Sequence, residues 1–249
     1  MNQVERLDML IEKCNLLKKE IAKVIVGQEE IINQILISIL SSGHCLLVGV
    51  PGLAKTLLVN TIAKTLGLTY KRIQFTPDLM PSDIIGSEIL NTNRELEFIK
   101  GPLFANILLA DEINRTPPKT QSALLEAMQE RQVTVDGQTY QLPKPFMILA
   151  TENPVDTAGT YPLPEAQLDR FLMRINMGYP TKESELEIIK SNRSAVQETK
   201  LAPVATAEEI IKIQEAISLV YVSDDILKYI VEIVSATREY DGVVMGVSP

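Results

Sequence analysis

The apolar positions follow two patterns that change near residue 180. Before that point, short apolar runs alternate with stretches of helical spacing. The runs at 45–48, 107–110 and 146–151 predict buried strands, because each is bounded by polar or turn-forming residues. Strands that alternate with helices predict a mostly parallel sheet between layers of helices, the α/β class. Beyond residue 180 the spacing is helical only, which predicts a hinge there and a smaller helical domain over 181–249.

Helical spacing of apolar residues predicts most of the remaining elements. The predicted helices are 3–23, 29–40, 57–66, 120–129, 183–192, 207–219 and 224–240. In the first helix, the stripe of apolar residues near helical spacing consists of Leu7, Leu10, Ile11, Leu16 and Leu17.

Two hairpins are predicted between these elements. Residues 84–90 and 95–99 are predicted to pair as strands across 91–94, whose composition favours a turn. Residues 133–140 carry the pair Asp136-Gly137 between alternating segments, a strong signal for a two-residue turn. A further strand is predicted over 70–76, where side chains alternate in character.

Composition narrows the class of protein. The chain has 249 residues, 45% of them hydrophobic and 22% charged, which is typical of a soluble globular protein, and no apolar run is long enough to span a bilayer. The acidic N-terminus lacks the apolar region of a secretory signal, and Cys14 and Cys45 form no metal-binding pattern, so a cytoplasmic protein with reduced thiols is expected. The net charge of −8 argues against a general nucleic-acid-binding surface. His44, the only histidine, has no plausible catalytic partner nearby and is not expected to be catalytic.

The segment 49–56, Gly-Val-Pro-Gly-Leu-Ala-Lys-Thr, lies between the predicted strand 45–48 and the predicted helix 57–66. This order is the architecture of a phosphate-binding P-loop, in which backbone N–H groups and a helix N-terminus attract phosphate. Lys55 can reach the β and γ phosphates, and the Thr56 hydroxyl can ligate Mg²⁺. Ala54 stands where a second glycine is expected, which raises a question about the loop conformation but not about the charge. The residues predicted to bind nucleotide here are Gly49, Val50, Pro51, Gly52, Leu53, Ala54, Lys55, Thr56 and Leu57.

Two adjacent carboxylates, Asp111 and Glu112, follow the predicted strand 107–110. Parallel sheets place their ligand chemistry at the carboxyl ends of strands. There Asp111 would lie near Mg²⁺ beside Thr56, and Glu112 would act as a general base on the water that attacks the γ-phosphate. The alternative is an acidic pair that complements the dipole of a following helix.

Asn153 and Arg170 are candidates for sensing or stabilising phosphate. Asn153 follows the strand 146–151 and would hydrogen-bond the γ-phosphate or the attacking water; alternatively, it forms a turn before Pro154. Arg170 would stabilise the charge of the transferring phosphoryl group and can do so from a neighbouring subunit; alternatively, it forms a surface ion pair with Asp169 or Glu165. Arg115 is a weaker candidate for a contact between subunits.

Four segments together resemble the MoxR family of AAA+ ATPases. They are GVPGLAKT, ILLADEINRTPPKTQSALLEAMQER, ATENP and PEAQLDRF, in that order, and the resemblance is dense over 21–180 and looser beyond. It implies a P-loop NTPase core of three αβα layers over 1–180 and an all-helical lid over 181–249. By this resemblance Lys55 and Thr56 are Walker A residues, Asp111 and Glu112 are Walker B residues, Asn153 is sensor 1 and Arg170 is the arginine finger.

The resemblance also implies roles for segments that carry no chemistry of their own. Val26 and Gly27 correspond to the segment that helps to hold the adenine. The regions near 84–100 and 131–142 correspond to inserts that can face the pore of a ring and engage a client protein. In the family an arginine, sensor 2, follows a Gly-x-Ser-Pro segment, and here that segment is 246–249, so a truncated lid is expected.

The leading functional hypothesis is a Mg²⁺-dependent ATPase that assembles as a ring, expected to be a hexamer, and remodels or matures other proteins. ATP or ADP and Mg²⁺ are the expected cofactors, and a protein with a von Willebrand factor A domain is an expected partner by resemblance. A nucleic-acid motor of related architecture is a second hypothesis, disfavoured by the acidic net charge. A nucleotide-gated binding module with weak hydrolysis is a third, and the presence of Glu112 argues against it.

Overall fold

A computed structural model describes residues 3–155, 159–194, 201–243 and 246–247. The chain divides into two compact units, Met1–Gln214 and Glu215–Pro249. Compactness does not by itself separate a core from a lid, so the boundary expected near residue 180 stays a prediction. Ser248 and Pro249, in the segment 246–249, lie outside the described residues. The truncated lid that this segment led us to expect also stays a prediction.

A parallel sheet lies at the centre of the first unit. The strands of the described residues are β1 (Cys45–Val48), β2 (Tyr70–Gln74), β3 (Gly86–Leu90), β4 (Leu96–Lys100), β5 (Ile107–Asp111), β6 (Gln132–Val135), β7 (Gln138–Gln141), β8 (Met147–Glu152) and β9 (Met173–Asn176). Five of them form one sheet in the order β2-β5-β8-β1-β9, and all four pairings in it are parallel. The carboxyl ends of these strands therefore meet at one edge of the sheet, and the predicted α/β class is confirmed.

Seven helices of the described residues lie close to the predicted positions, and two short ones, at 81–85 and 165–168, were not predicted. The helices of the described residues are α1 (Gln3–Ile21), α2 (Glu29–Leu40), α3 (Lys55–Thr65), α4 (Pro81–Ile85), α5 (Pro118–Glu130), α6 (Glu165–Leu168), α7 (Lys182–Ser194), α8 (Ala207–Ile217) and α9 (Asp224–Glu239). Within the described part of the chain, no helix has both the length and the apolar character needed to cross a bilayer. The stripe predicted for α1 is partly wrong: Ile11 and Leu16 are 61% and 47% exposed, whereas Leu17 and Ile21 are buried.

Two apolar cores lie on the two faces of the sheet. Because successive side chains of a strand point to opposite faces, Cys45 and Leu47 of β1 join one core and Leu46 and Val48 join the other. The first core is completed mainly by α1, α2, α3 and α8, and the second by α4, α5 and the connections around them. This arrangement gives the three αβα layers and explains why β1 is apolar at every position.

The strand β9 is missing from the sequence-based predictions. It pairs with β1 in parallel register, with Leu47 opposite Ile175, and forms the edge of the sheet. Of its four residues only Ile175 is buried, since an edge strand is covered less than a central one. The segment therefore lacks the continuous apolar run by which β1, β5 and β8 are recognisable.

Both predicted hairpins are present, one with a shifted start. Residues 81–85 form the short helix α4 instead of the beginning of a strand, because Pro81 occupies its first position and Ile84 is buried. β3 then pairs with β4, and β6 pairs with β7. In the second hairpin Asp136 and Gly137 both have positive φ, 47° and 82°, as a two-residue turn between twisted strands requires.

His44 is a buried, hydrogen-bonded histidine with 6% of its surface exposed. Its Nδ1 accepts a hydrogen bond from the Ile148 N–H at 3.0 Å, and its Nε2 lies 3.2 Å from Met128 O. The neutral ring with its proton on Nε2 satisfies both partners. Burial lowers the pKa of His44 from 6.5 to about 4, although the contact with Met128 O opposes the change.

Acidification is expected to destabilise the protein between pH 6.5 and about pH 4. The unfolded chain binds a proton at His44 below pH 6.5 but the folded chain does not, so stability is complete above pH 6.5 and is lost as the pH falls toward 4. The loss amounts to about 3 kcal/mol, at about 1.4 kcal/mol per pH unit. Urea unfolding across this range measures it, and His44→Gln should flatten the curve. Because the chain has one histidine, NMR reports its pKa directly, and a ring that titrates near pH 6.5 in the folded state would contradict the prediction.

Candidate functional site

The loop 49–56 lies at the carboxyl end of β1, and Lys55 and Thr56 are the first residues of α3. The Gly49 N–H donates to Glu152 O at 3.2 Å, which ties the loop to the end of β8. A Cβ on Gly49 would lie 2.8 Å from Met177 O, so the loop passes close to the chain beyond β9. At Gly52, by contrast, φ is +89° and a Cβ would meet nothing within 4 Å. The loop is thus anchored at its base and open above Gly52, as a phosphate cradle requires.

Ala54 adopts the left-handed conformation, with φ 55° and ψ 26°. A glycine reaches this conformation without steric conflict, whereas an alanine there is disfavoured by roughly 1 kcal/mol. The loop therefore keeps the backbone shape for which a second glycine would be suited, and its cost is a small local strain. Alanine in place of glycine at this position therefore affects the stability of the loop and not the direction of its backbone N–H groups.

Lys55 lies half-buried above the loop. Its Nζ donates to the carbonyl oxygens of Gly49 and, at 3.4 Å, of Glu152. Burial lowers the pKa of Lys55, and the negative charges of Asp111 and Glu112 oppose that change. The two predicted acidic residues, at the end of β5, therefore act electrostatically on the ammonium group of Lys55, at the start of α3.

The acidic pair is held by hydrogen bonds at the end of β5. The Thr151 hydroxyl donates to Asp111 Oδ1 at 2.6 Å and accepts from the Glu112 N–H at 2.8 Å. Arg72 forms an ion pair with Asp111, with its Nη2 2.6 Å from Oδ2. Glu112 itself has φ 58°, an uncommon conformation for a residue other than glycine and one that occurs often at functional sites.

The Glu112 carboxylate has two further partners. Its Oε2 accepts from Gln74 Nε2 at 3.0 Å and lies 2.9 Å from Arg115 Nε. Arg115 thus lies beside the acidic pair of its own chain, while its predicted contact between subunits stays untested. The alternative in which the pair only complements a helix dipole does not describe these contacts, because the residues after Glu112 form a single 3₁₀ turn.

Three residues around the acidic pair were not predicted from the sequence: Arg72, Gln74 and Thr151. Arg72 and Gln74 are two residues apart on the edge strand β2, so their side chains lie on the same face and both reach the end of the neighbouring β5. Thr151 is buried, although it is a polar residue at the end of an apolar strand. That polar residue in β8 is the one signal that the sequence offered.

Asn153 lies at the carboxyl ends of the parallel strands, whereas Arg170 lies toward their amino ends. Asn153 follows β8 at the carboxyl edge, and its Oδ1 accepts from the Val155 N–H at 3.2 Å, so it does form a turn. Arg170 precedes β9, whose first residue pairs with Cys45 at the beginning of β1, so it lies toward the amino edge. Arg170 is exposed, and no ion pair to it occurs among the described residues, contrary to the alternative of a surface ion pair.

The segment Val26-Gly27 connects α1 to α2 and contacts the beginning of α7. Gly27 has φ +71°, and a Cβ there would lie 2.2 Å from Ser184 Oγ, so only glycine fits. The adjacent Gln28 has a buried Oε1 that finds no hydrogen-bond partner among the described residues. Such an acceptor is suited to a ligand that brings a donor, as the amino group of adenine does.

The donor set suits a magnesium ion that is shared with phosphate groups. Among the described residues, no cluster of three or more His, Cys, Asp or Glu side chains could enclose a metal. Mg²⁺ in nucleotide sites needs only one or two protein oxygens, because phosphates and water complete its shell. Thr56 at the start of α3 and Asp111 at the end of β5 provide oxygens of this kind.

Comparisons with known proteins agree with this geometry. Residues 44–173, more than half of the chain, match the model of the ATPase family associated with various cellular activities (AAA). Chaperone MoxR1 of Mycobacterium tuberculosis is 49% identical over 221 residues, which are 88% of this chain and 58% of MoxR1. Uncharacterized protein YeaC of Bacillus subtilis is 51% identical over 232 residues, 93% of this chain and 72% of YeaC.

A solved structure has the same fold. It is the crystal structure of a "putative ATPase" from Cytophaga hutchinsonii, with a TM-score of 0.85 and 48% identity, covering 98% of this chain and 79% of that one. Family match, relatives and fold point to one conclusion: the chain belongs to the MoxR family of AAA+ ATPases.

Proposed function

We propose that the chain binds ATP with Mg²⁺ and hydrolyses it in an assembled ring of subunits. The observation that carries the proposal is a set of contacts at the carboxyl ends of β1, β5 and β8: the Lys55 ammonium group is bonded to Gly49 O and Glu152 O, and Thr151, next to Glu152, is bonded to Asp111 and Glu112. A cation beside an open loop recognises phosphate, and a carboxylate pair beside it serves metal binding and water activation.

Binding is proposed to reposition Lys55. Its Nζ is hydrogen-bonded to Gly49 O and Glu152 O, which are weak partners for a full charge. The phosphate oxygens of ATP are stronger acceptors, so the ammonium group exchanges carbonyls for phosphate. Backbone N–H groups of the loop and the start of α3 hold the phosphates, and Val26 and Gly27 line the adenine site beside Gln28. Thr56 and Asp111 would hold Mg²⁺, which would neutralise charge on the phosphate oxygens.

Hydrolysis is proposed to use Glu112 as the general base. The oxygen of a water molecule bonds to the γ-phosphorus while the bond from that phosphorus to the β–γ bridging oxygen breaks, giving ADP and phosphate. The proton of the water passes to the Glu112 carboxylate and from there to the released phosphate or to solvent. Asn153 would orient the water with its amide NH₂, because its Oδ1 is bonded in the turn.

Arg170 is proposed to complete the site of a neighbouring subunit. It lies toward the amino edge of the sheet, whereas Lys55, Asp111 and Glu112 lie at the carboxyl edge, the length of β1 away. An exposed arginine without an ion pair in the described part of its own chain is suited to stabilise phosphoryl charge in another. The proposed assembly is a hexameric ring, in which every site is shared by two chains.

The two hairpins are proposed to contact client proteins. β3 and β4 expose the apolar side chains Ile89, Leu90, Leu96 and Ile99, each between 46% and 69%. Phe98 of β4 packs on Tyr140 of β7 with ring centroids 4.4 Å apart, so the two hairpins touch each other. Apolar surface of this kind suits an unfolded or partly folded client. The role proposed for the protein is therefore cytoplasmic remodelling or maturation of other proteins, including partners with a von Willebrand factor A domain.

Lys55→Ala is expected to abolish most ATP binding. Removing one partner of a desolvated charge pair typically costs about 2–5 kcal/mol, so affinity should fall by roughly 30-fold or more. Isothermal titration with ATP and Mg²⁺ measures the loss. The matched control is Lys64→Ala, an exposed lysine at the other end of the same helix, which should bind like the parent. Equal affinity in Lys55→Ala and Lys64→Ala would refute the P-loop assignment.

A further inference from the structure

Asp111 accepts three hydrogen bonds, one from Thr151 and two from Arg72. Its Oδ1 accepts from the Thr151 hydroxyl at 2.6 Å, and its Oδ2 accepts from both Nε and Nη2 of Arg72, at 3.1 and 2.6 Å. The Asp111 side chain is 14% exposed and that of Arg72 is 44% exposed. The pair is therefore partly shielded from water, and its attraction exceeds that of a fully exposed ion pair.

Arg72 has a second acceptor within reach on its own strand. Its Nη2 also donates to Gln74 Oε1 at 2.7 Å, because residues two apart on β2 lie on the same face. The guanidinium group can therefore weaken its contact with Asp111 and still keep a partner. Arg72 thus stands between two acceptors, one charged and one neutral.

A guanidinium group stays protonated at any physiological pH, so Arg72 is a permanent positive charge on the carboxylate. The proposed site places a second cation, Mg²⁺, at the same carboxylate. Two cations that share one carboxylate repel each other, and each neutralises the charge that attracts the other. Arg72 acts through the carboxylate of Asp111 and needs no contact with the nucleotide.

We propose that Arg72 is a positioning residue that acts as an internal cation on Asp111, competes with Mg²⁺ there, and so sets the Mg²⁺ concentration that nucleotide binding requires. This inference rests on the proposed function, since it assigns Asp111 to Mg²⁺. With Mg²⁺ at Asp111, Gln74 would remain as the partner of Arg72; Arg72 otherwise donates to both Gln74 and Asp111. Arg72 keeps the carboxylate in place without metal and limits binding when Mg²⁺ is scarce.

The test is a Mg²⁺ titration of nucleotide binding, which does not depend on turnover. A fluorescent N-methylanthraniloyl-ADP is added to the EDTA-treated protein, and its fluorescence is followed as Mg²⁺ is added. Arg72→Met should lower the half-saturating Mg²⁺ concentration on the order of tenfold, because one repelling charge is removed. Arg72→Lys keeps the charge but loses the two-bond contact, so a smaller decrease is expected. Lys71→Met removes an equal charge from the adjacent exposed residue, which points to the opposite face of β2, and should match the parent.

The outcomes separate this inference from the proposed function. A half-saturating concentration in Arg72→Met that equals or exceeds that of the parent overturns the competition. If circular dichroism shows that Arg72→Met does not fold, Arg72→Lys is used instead. A half-saturating Mg²⁺ concentration in Arg72→Lys that equals or exceeds that of the parent then overturns the competition. A parent chain that binds the probe normally, with an unshifted Arg72 variant, leaves the proposed function intact. A parent that fails to bind the probe at any Mg²⁺ concentration removes both.

Discussion

Replacing Glu112 by glutamine is expected to abolish ATP turnover while ATP binding is retained. Glutamine has nearly the same shape and keeps an oxygen that accepts from Gln74, but it cannot take a proton from water. General-base catalysis typically contributes about 10²–10⁴-fold, so kcat should fall by that factor. Released phosphate measures turnover, and calorimetry measures binding on the same preparation.

The matched control for this substitution is Glu126→Gln, an exposed glutamate on α5. It removes the same charge from the same unit and should leave kcat unchanged. Folding of Glu112→Gln is expected to be preserved, because the left-handed backbone at residue 112 disfavours glutamate and glutamine about equally. If Glu112→Gln hydrolysed ATP at the parent rate, another group would have to be the base.

The strained backbone at Glu112 explains how the side chain is held. Its φ of 58° is stabilised by the bond from its N–H to the Thr151 hydroxyl, which also donates to Asp111. The Thr151 hydroxyl therefore orients both acidic residues: it is bonded to the side chain of Asp111 and to the backbone N–H of Glu112. A strained backbone conformation persists only when surrounding contacts hold it, as the bond to Thr151 does at Glu112.

The parts of the fold that were predictable are those with a strong local signal. Buried central strands such as β1, β5 and β8 are apolar at nearly every position, and Gly and Lys-Thr positions mark the loop between β1 and α3. These signals fix the order of strands and loops, and hence the carboxyl edge at which Lys55, Asp111 and Glu112 meet. Their proximity follows from the parallel sheet and not from their spacing in the sequence.

The parts that were missed depend on tertiary contacts. β9 is polar at alternate positions because it is an edge strand, and its partner β1 is more than a hundred residues earlier. Arg72 and Gln74 look like ordinary exposed residues of an edge strand until β5 brings the acidic pair beside them. The left-handed conformation of Ala54 is not signalled by alanine itself, which is rare in it, but only by the motif, which has a glycine at that position.

Arg170→Ala is expected to lower turnover about as strongly as the loss of Glu112 does. An arginine that stabilises the transferring phosphoryl group contributes about 10³–10⁵-fold in related chemistry, and ATP binding should change little. The matched control is Arg174→Ala, an exposed arginine on β9, which should keep the parent rate. Both variants are compared by phosphate release at equal protein concentration.

Mixing subunits shows whether Arg170 acts within one chain or between chains. The Arg170→Ala chain keeps an intact loop with Lys55, and the Lys55→Ala chain keeps Arg170. In a mixed ring the second chain supplies its arginine to the loop of the first, so activity should partly recover although neither variant is active alone. The topology favours this outcome, because Arg170 precedes β9 at the amino edge and the loop follows β1 at the carboxyl edge. The absence of recovery at every mixing ratio, with both variants folded and assembled, would place Arg170 outside the hydrolytic site.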